Sequence, residues 1–380
     1  MKTNELHLSA RVAFGLEATV KREATSLGFR DIRTQDGRID FVGGLEDVAR
    51  ANIWLRCANR VGIVMGEFTA KSFEELFEGT RALNWGDWIP KDGAFTVSGA
   101  SVRSQLYSVP DCQSIVKKAV VEKLRTKYSD VDWFLETGPR YDIRVSLLKD
   151  TATLTIDTTG PSLHMRGYRK AAVQAPLKET LAAALIELSF WRPQRTLLDC
   201  VCGSGTIPIE AALMERNIAP GLYRSFSAEQ WEQMEGIWEQ ERERAKSLIN
   251  NNPLQIFGSD IDPKAIEAAR QNAVEAGFSA KDIRFSTCSV EDLQLPSPQG
   301  IAIMNPPFGE RMASAKEAAA LYRTMGRLFP DTWSVYILTS DEDLEKHFGK
   351  GADKKRKLFN ANIKTDYYQF HSQKPKKNQA

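Results

Sequence analysis

Three apolar segments in the C-terminal half of the chain each end on a side chain that can take part in polar chemistry. Asp199 ends TLLD, Asp260 ends QIFGSD, and Asn305 follows GIAIM. The carboxyl ends of neighbouring parallel strands meet at one edge of a sheet, and α/β proteins bind their ligands there. Two carboxylates and an amide at such an edge can bind a nucleotide-like ligand and hold a second reactant beside it.

A glycine-rich turn after Asp199 indicates that the ligand has an anionic end. The chain reads VCGSGTIP, in which Gly203 and Gly205 let the backbone approach a ligand, and the following helix presents free N–H groups. NAD, FAD and S-adenosylmethionine are the candidates. The dinucleotide fingerprint GxGxxG is absent because Pro208 stands in the place of its third glycine, and a GxxxxGK(S/T) phosphate loop is absent too. The single carboxylate of S-adenosylmethionine suits this short loop better than a pyrophosphate does.

The second acid, Asp260, is placed to accept hydrogen bonds from ribose hydroxyls at the same edge. Asp262 fits the cap of the next helix instead. The separation between the first two acids is longer than in dinucleotide-binding folds, because a charged amphipathic insert occupies residues 217–250. We interpret Trp231 and Trp238 of this insert as packing residues.

The third segment runs into NPPF, residues 305–308. The amide oxygen of Asn305 can accept a hydrogen bond from an exocyclic amine, and the carbonyl oxygen of Pro306 can accept a second. Two acceptors on one amine direct its nitrogen lone pair towards an incoming methyl group, which is catalysis by positioning and electrostatic preorganisation. Phe308 offers a flat ring on which a base can stack, and the two prolines stiffen the turn.

The elements around these segments divide the chain into three domains and a tail. Residues 1–65 follow the order βαββαβ, which is typical of a ferredoxin-like domain. Residues 66–160 alternate helices and strands and close with a hairpin, and we interpret both domains as binding platforms. Residues 161–372 repeat strand and helix, the pattern of a mostly parallel, doubly wound α/β sheet. Residues 373–380 form a basic tail.

The composition is that of a globular protein. The 380 residues are 42% hydrophobic and 26% charged. The sequence has no apolar run of the length of a membrane span, and its N-terminus does not resemble a secretory signal. Five scattered cysteines and only four histidines argue against a disulfide framework or a zinc site and favour a reducing cytoplasm. We therefore predict no metal, and, without a heptad repeat, a monomer.

The charge of the chain says little about its partners. A net charge of +2 does not by itself indicate binding to nucleic acid. Basic residues cluster in RGYRK (166–170) and in the last thirty residues, and such runs are usually solvated charge.

Two motifs and the order of the segments resemble a known family. DCVCGSGT (199–206) and NPPF (305–308) look like motifs of amino-group methyltransferases that use S-adenosylmethionine. The whole chain resembles the narrower family of THUMP-domain guanosine N2-methyltransferases of RNA. The similarity includes a THUMP segment (104–124), the linker to the catalytic domain (162–185) and a closing antiparallel hairpin (357–370). The resemblance implies a Rossmann-like methyltransferase domain preceded by ferredoxin-like and THUMP α+β domains.

The resemblance also implies roles for individual residues. Those in contact with the cofactor are Asp199, Gly203, Ser204, Gly205, Thr206 and, at the ribose, Asp260. Those in contact with the target base are Asn305 and Pro306 at its amine and Phe308 on its face. Where many methyltransferases place an acid for the adenine amine, this chain has Ser289, with Asp292 three residues later. The candidates for RNA contacts are Arg103, Lys117 and Lys118 in the second domain.

The implied reaction is a direct transfer of a methyl group to N2 of guanosine. The chain looks like the bacterial members with a single methyltransferase domain, similar to the N2-guanine half of the large-subunit rRNA enzyme. This similarity makes 23S rRNA the preferred target and tRNA the alternative. Cys200, Cys202 and Cys288 do not occupy the place of a catalytic cysteine, so no covalent enzyme intermediate is expected. An adenine-N6 methyltransferase and a non-catalytic RNA-binding assembly factor are further alternatives, although neither explains both the N-terminal domains and the intact motifs.

Overall fold

The computed structural model describes residues 5–130, 133–171, 176–307, 315–360 and 363–373. The first half of the chain contains β1 (Leu6–Val12), α1 (Glu17–Ser26), β2 (Arg30–Gln35), β3 (Arg38–Gly43), α2 (Leu45–Trp54), β4 (Ala58–Thr69), α3 (Phe73–Arg81), β5 (Val97–Val102), α4 (Val109–Lys127), β6 (Ile143–Leu148) and β7 (Thr151–Asp157). The second half contains α5 (Glu179–Glu187), β8 (Leu197–Asp199), α6 (Thr206–Glu215), α7 (Ile237–Ser247), β9 (Ile256–Asp260), α8 (Pro263–Glu275), β10 (Ile283–Thr287), β11 (Gly300–Met304), α9 (Ala315–Leu328), β12 (Trp333–Thr339), α10 (Leu344–Phe348), β13 (Lys354–Asn360) and β14 (Ile363–Phe370).

The chain forms two compact units. The first unit comprises Met1–Val12, Val20–Leu163 and Arg224–Arg244. The second unit comprises Ala13–Thr19, His164–Tyr223 and Ala245–Ala380.

The first unit is built on one seven-stranded sheet with the order β2-β3-β1-β4-β7-β6-β5. Neighbouring strands are antiparallel except for β5 and β6, which are parallel. The predicted order βαββαβ is confirmed by the first four strands and two helices, and β2 and β3 form a hairpin in which Gly37 has a positive φ of 72°. Glycine tolerates this backbone conformation without steric cost.

The two faces of this sheet differ in polarity because the strands alternate. Leu8, Ala10, Ile143 and Val145 are buried on one face of the sheet, where α2 packs on β1, α3 on β4 and α4 on β5 and β6. The other face carries polar side chains at the intervening positions, among them serines, threonines and arginines. An antiparallel sheet with one solvated face commonly shows this alternation.

The insert between α6 and β9 contributes residues 224–244 to the first unit. The Trp231 ring stacks on Tyr141 with 4.6 Å between ring centroids, and its indole N–H donates to the Arg140 carbonyl at 3.0 Å. Trp238 is also buried and stacks on Phe226 at 4.9 Å. The interpretation of the two tryptophans as packing residues is therefore confirmed.

The second unit is built on a seven-stranded sheet with the order β10-β9-β8-β11-β12-β14-β13. The five strands from β10 to β12 are parallel, and β13 and β14 form an antiparallel hairpin beside β12. The predicted Rossmann-like fold, with a mostly parallel sheet and an antiparallel hairpin at its end, is confirmed. The strand order reverses between β8 and β11, and ligands of open α/β sheets bind at such a switch point.

The core of the second unit is apolar along whole strands, as expected for parallel strands covered on both faces. Every residue of β8 and β12 is buried. Met304 of β11 packs with Tyr322, Ile337 and Phe370 in one hydrophobic cluster. This packing fixes the ends of β8 and β11, where the polar residues of the candidate site begin.

Neither a membrane span nor a metal centre is found in the part of the chain that the structure describes. None of its helices combines the length and the apolar character that crossing a bilayer requires. No group of three or more histidine, cysteine, aspartate and glutamate side chains is arranged to hold a metal ion.

Candidate active site

The structure brings the three predicted strand ends to one edge of the second sheet. Strand β8 lies between β9 and β11, with Asp199 paired to Gly258 and Leu198 paired to Ala302. Asp260 lies two residues beyond Gly258 on one side of β8, and Asn305 follows β11 on the other side. Two interstrand spacings place these positions about 10 Å apart. That distance leaves room for a ligand between them.

The predicted glycine turn connects β8 to α6 in left-handed backbone conformations. Gly203 has a φ of 53° and Gly205 a φ of 80°. A Cβ atom on Gly205 would lie 3.0 Å from both the Ala269 Cβ and the Phe285 ring, so the position is restricted by packing as well as by its φ. The turn can therefore lie close to β9 and β10 and present the N-terminus of α6 at the sheet edge.

Asp260 holds this turn in place. One oxygen of its carboxylate accepts the Gly203 N–H at 2.9 Å, and the other accepts the Asp262 N–H at 3.0 Å. Each oxygen keeps a second lone pair for a ligand. Asp262 caps α8 by accepting the Lys264 N–H at 2.9 Å, which confirms the cap that the sequence predicts.

Asp199 is the most buried acid of the site. Its carboxylate accepts the Val201 N–H at 3.2 Å. Burial raises the pKa of Asp199 well above its ordinary value, and the negative charge of Asp260 raises it further. A carboxylate that is so poorly compensated is ready to interact with a positively charged ligand.

Asn305 has an unused acceptor. Its Oδ1 is buried and has no hydrogen-bond partner among the residues that the structure describes. A buried carbonyl oxygen without a partner is unfavourable by about 1–3 kcal/mol, so it usually has a functional reason. Pro306, the next residue, is buried, whereas Phe308 lies outside the described residues, and its predicted stacking role stays a prediction.

Comparison with protein families agrees with this architecture. Residues 166–369, more than half of the chain, match the family model described as the RMKL-like methyltransferase domain. The chain belongs to the RMKL-like methyltransferases. Residues 7–62 match the RlmL ferredoxin-like domain, and residues 70–157 match the THUMP domain.

Curated relatives of this RMKL-like methyltransferase cover nearly all of its chain. The protein named "Putative RNA methyltransferase YpsC" from Bacillus subtilis (strain 168) is 47% identical, and the alignment covers 96% of each chain. "Ribosomal RNA large subunit methyltransferase K/L" from Syntrophotalea carbinolica is 34% identical over 94% of this chain and 52% of that protein.

Two solved structures are also similar. One is described as "a predicted N6-adenine-specific DNA methylase" from Listeria monocytogenes; it is 49% identical, with 97% of each chain covered and a TM-score of 0.92. The other is SMU.472, described as "a putative methyltransferase complexed with SAH"; it is 44% identical, covers 98% of this chain and 100% of its own, and has a TM-score of 0.92.

The cofactor of this RMKL-like methyltransferase is S-adenosylmethionine. The residues present fit it, because the site combines a left-handed glycine turn with a half-buried carboxylate at Asp260. The individual cofactor contacts assigned to Asp199, Gly203, Ser204, Gly205, Thr206 and Asp260 stay predictions.

Burial of Asp199 has a consequence for stability. We expect Asp199→Asn to raise the melting temperature of the cofactor-free protein at about pH 7. Because the pKa of Asp199 is raised in the folded protein, folding at a pH above the ordinary pKa of 3.8 must either bury the charge or take up a proton, and both are unfavourable. At lower pH the carboxyl group is protonated in the folded and in the unfolded state, so this penalty disappears. The difference between the two proteins should therefore shrink towards about pH 4.

Thermal melts at several pH values test this expectation. Asp343→Asn, which changes an exposed aspartate in the same unit, is the matched control and should show no such trend. An Asp199→Asn protein that melts below the wild type at neutral pH would contradict the assignment of Asp199 as an uncompensated buried acid.

Two residues that sequence reasoning missed support the glycine turn. The Arg169 guanidinium donates to the Ser204 hydroxyl at 3.3 Å, to the Thr206 hydroxyl at 3.1 Å and to Glu179 at 2.8 Å. The Asn272 side chain, on α8, donates to the Ser204 carbonyl at 3.2 Å. Both residues therefore orient the turn through hydrogen bonds.

The basic cluster at 166–170 is therefore not the solvated run that its composition indicates. Arg166 is buried and forms an ion pair with buried Glu210 at 3.4 Å, and the Tyr168 hydroxyl donates to Glu210 at 3.0 Å. The composition of RGYRK could not show this, because its acidic partners follow 10 to 44 residues later in the chain.

The remaining candidates near the site make local contacts. The Ser289 hydroxyl donates to the Asp292 carboxylate at 2.7 Å and accepts the Asp292 N–H at 3.2 Å, so it closes a turn after β10. Its contact with the adenine amine stays a prediction. Cys200 and Cys202 are buried, and burial raises the pKa of both thiols well above the ordinary value, which makes them poor nucleophiles.

The three predicted RNA-binding residues lie in the first unit. Arg103 is exposed and has a positive φ of 52°. Lys117 pairs with Glu136 at 3.2 Å, and its ammonium lies 5.3 Å from the centre of the Phe95 ring. Lys118 lies 5.7 Å from the centre of the Phe77 ring. The lysines thus already interact within their own domain, and their contact with RNA stays a prediction.

Proposed function

We propose that this RMKL-like methyltransferase transfers a methyl group to the exocyclic N2 of a guanosine in RNA, with 23S rRNA as the target. The observation that carries the proposal is the buried Oδ1 of Asn305, which has no partner among the described residues and follows β11 at the ligand-binding edge of the sheet. An exocyclic amine would supply the missing donor.

S-adenosylmethionine supplies a methyl group activated by a positively charged sulfonium. The chain contributes position: Asp260 orients the glycine turn, and Asn305 and the Pro306 carbonyl hold the two hydrogens of the target amine. With both hydrogens engaged, the nitrogen lone pair points away from the amide, towards the methyl donor. The proton released from the amine then passes to solvent.

A covalent enzyme intermediate is not part of this mechanism. The buried thiols of Cys200 and Cys202 have pKa values raised by desolvation, so they are not thiolates at neutral pH. Cys200 also lies with its Sγ 3.1 Å from the Met304 Sδ, inside the core. The roles left for the protein are binding, orientation and exclusion of water.

The choice of RNA rests on the first unit. A THUMP domain and an RlmL-type ferredoxin-like domain precede the catalytic domain, and the curated relatives are named as methyltransferases of RNA. The relative from Syntrophotalea carbinolica is named for the large ribosomal RNA, which favours 23S rRNA over tRNA.

An adenine-N6 methyltransferase is the second candidate. The related structure from Listeria monocytogenes is described as an adenine-specific DNA methylase, and the N6 amine of adenine is as good a donor to Asn305 as the N2 amine of guanine. The N-terminal domains do not favour DNA, because dsDNA methylation would not require a THUMP domain.

Incubation of total RNA and genomic DNA with the protein and labelled S-adenosylmethionine separates the two candidates. Digestion to nucleosides is expected to release the label as N2-methylguanosine from the large rRNA. Label in N6-methyladenine, from either nucleic acid, would overturn the proposed specificity. Label in tRNA guanosine would keep the chemistry and change the target.

A further inference from the structure

The polar face of the sheet in the first unit contains a cavity that has no role in the proposed chemistry. Its volume is about 210 Å³. Four arginines line it: Arg11, Arg38, Arg60 and Arg144. We call this cavity, defined by these four residues, the arginine pocket.

The register of the sheet places three of these arginines side by side. Arg11 of β1 lies directly opposite Arg38 of β3 on one side and opposite Arg60 of β4 on the other. Like charges at directly opposed positions of a sheet are destabilising. This row is therefore unfavourable for the fold unless anions compensate its charges.

Neighbouring acids compensate two of the four charges. Arg60 pairs with Asp157 at 2.6 Å, and Arg38 pairs with Asp40 and with Glu67, each at 3.0 Å. Asp36 and Asp157 also line the pocket, and the charge of Asp157 acts on Arg11 and Arg144 as well, without forming an ion pair with either.

Arg11 and Arg144 are left with positive charge facing the cavity. Both are half-buried, and within the described part of the chain neither forms an ion pair or a side-chain hydrogen bond. Burial and the charges of Arg144 and Arg60 lower the pKa of Arg11 to about 10, and burial and Arg60 also lower the pKa of Arg144. The protein thus holds two guanidinium groups close together, and in the described part of the chain only the longer-range attraction of Asp157 opposes their charges.

The floor of the pocket suits a small oxyanion. Ser9, Ser146 and Thr155 line it with hydroxyl groups. Gly62 also lines it, and a Cβ there would lie only 2.9 Å from the Ile156 carbonyl of the neighbouring strand, so strand packing requires glycine at this position. Guanidinium groups bind phosphate oxygens in a bidentate geometry, and hydroxyl donors complete such a site.

We propose that the arginine pocket binds a phosphate group of the RNA substrate, with Arg11 and Arg144 as its principal ligands. This inference rests on the proposed function for the identity of the ligand. The phosphate can be an internal phosphodiester or a terminal phosphate of the RNA, and the pocket recognises the chemistry that the two share. The site is separate from the surface of Arg103, Lys117 and Lys118.

The test compares a double variant, Arg11→Gln with Arg144→Gln, with the wild type. Single-stranded oligouridine, with either a 5′-hydroxyl or a 5′-phosphate, is the probe, and fluorescence anisotropy is followed as the salt concentration is varied. We expect the double variant to bind about 30-fold more weakly at about 0.1 M salt, and the slope of log Kd against log salt to fall by about 1 to 2. The matched control is Lys21→Gln with Arg22→Gln, which removes two exposed charges from α1 of the same domain.

The pattern of loss identifies the source of the phosphate. Equal weakening with both oligonucleotides indicates an internal phosphodiester, and weakening confined to the 5′-phosphorylated probe indicates a terminal phosphate. A double variant that binds both probes as well as the wild type does, or no more weakly than the control does, overturns the proposal.

Two further measurements guard against a merely structural effect. Because the double variant removes like charges, it should melt at or above the temperature of the wild type. In the wild type, oligouridine should protect Arg11 and Arg144 from modification by phenylglyoxal. Absence of protection would contradict the pocket even if the variant misfolded.

Failure of this inference and failure of the proposed function give different results. The pocket is tested by RNA affinity without methyl transfer, whereas the proposed specificity is tested by the identity of the methylated nucleoside. Loss of binding in the double variant together with labelled N6-methyladenine would keep the pocket and reject the guanosine target.

Discussion

Replacement of Asn305 by alanine is expected to reduce methyl transfer by about a thousandfold while the affinity for S-adenosylhomocysteine changes by no more than a few fold. The amide oxygen acts on the target amine, so its loss removes an interaction needed in the transition state, and preorganised groups of this kind contribute about 10² to 10³ in rate. The Oδ1 has no partner among the described residues, so the variant should melt at or above the wild-type temperature.

Single-turnover rates with RNA and calorimetric titration with S-adenosylhomocysteine measure the two effects separately. Asn251→Ala, which changes an exposed asparagine of the same unit, is the matched control and should retain full activity. If cofactor affinity fell in parallel with the rate, Asn305 would belong to the cofactor site and the assigned role would be wrong.

Replacement of Asp260 by alanine should have the opposite signature and lower cofactor affinity by about a hundredfold. Its carboxylate accepts the N–H groups of Gly203 and Asp262, so the variant loses the group that fixes the glycine turn as well as the predicted acceptor for the ribose. Hydrogen bonds to a charged group are worth about 1.5–3 kcal/mol, and about 3 kcal/mol corresponds to this change in affinity.

Asp262→Ala is a closely matched control, because the two aspartates are separated by one residue. Asp262 caps α8 through the Lys264 N–H, so its loss should reduce stability by about 1 kcal/mol and leave cofactor affinity nearly unchanged. Equal losses of cofactor affinity in both variants would show that the effect comes from the helix end and not from the carboxylate of Asp260.

The sequence was sufficient to predict the fold and the meeting of the three strand ends, for a physical reason. Apolar runs that end on Asp199, Asp260 and Asn305 mark buried parallel strands and their carboxyl ends, and a doubly wound sheet brings such ends together. The glycine turn was visible because few residues other than glycine adopt the φ values of Gly203 and Gly205. The strands, their meeting ends and the glycine turn all follow from local chemistry and the rules of sheet topology.

The supporting residues could not be predicted in the same way, because their partners are distant in the sequence. In the sequence, Arg169 is one residue of a basic run, and only the fold places it against Ser204 and Thr206. Asn272 likewise has the pattern of an ordinary helix residue, although its side chain contacts the Ser204 carbonyl. The arginine pocket likewise exists only through the register of β1, β3 and β4, which sets Arg11 beside residues 27 and 49 positions away.

The packing of the insert is a similar case. Its tryptophans were identified as packing residues from their type, but the surface that they cover could not be identified. Tyr141, on which Trp231 stacks, precedes it by 90 residues and belongs to the THUMP part of the first unit. A partner of this kind follows from tertiary structure alone.

A crystal structure of the protein with S-adenosylhomocysteine tests the role of Asn305 most directly. If Asn305 orients the target amine for transfer, its Oδ1 must lie within about 8 Å of the cofactor sulfur, the combined reach of a methyl transfer and one hydrogen bond. We expect that distance, with the cofactor in contact with Gly203 and Asp260. An Asn305 side chain directed away from that pocket would contradict it.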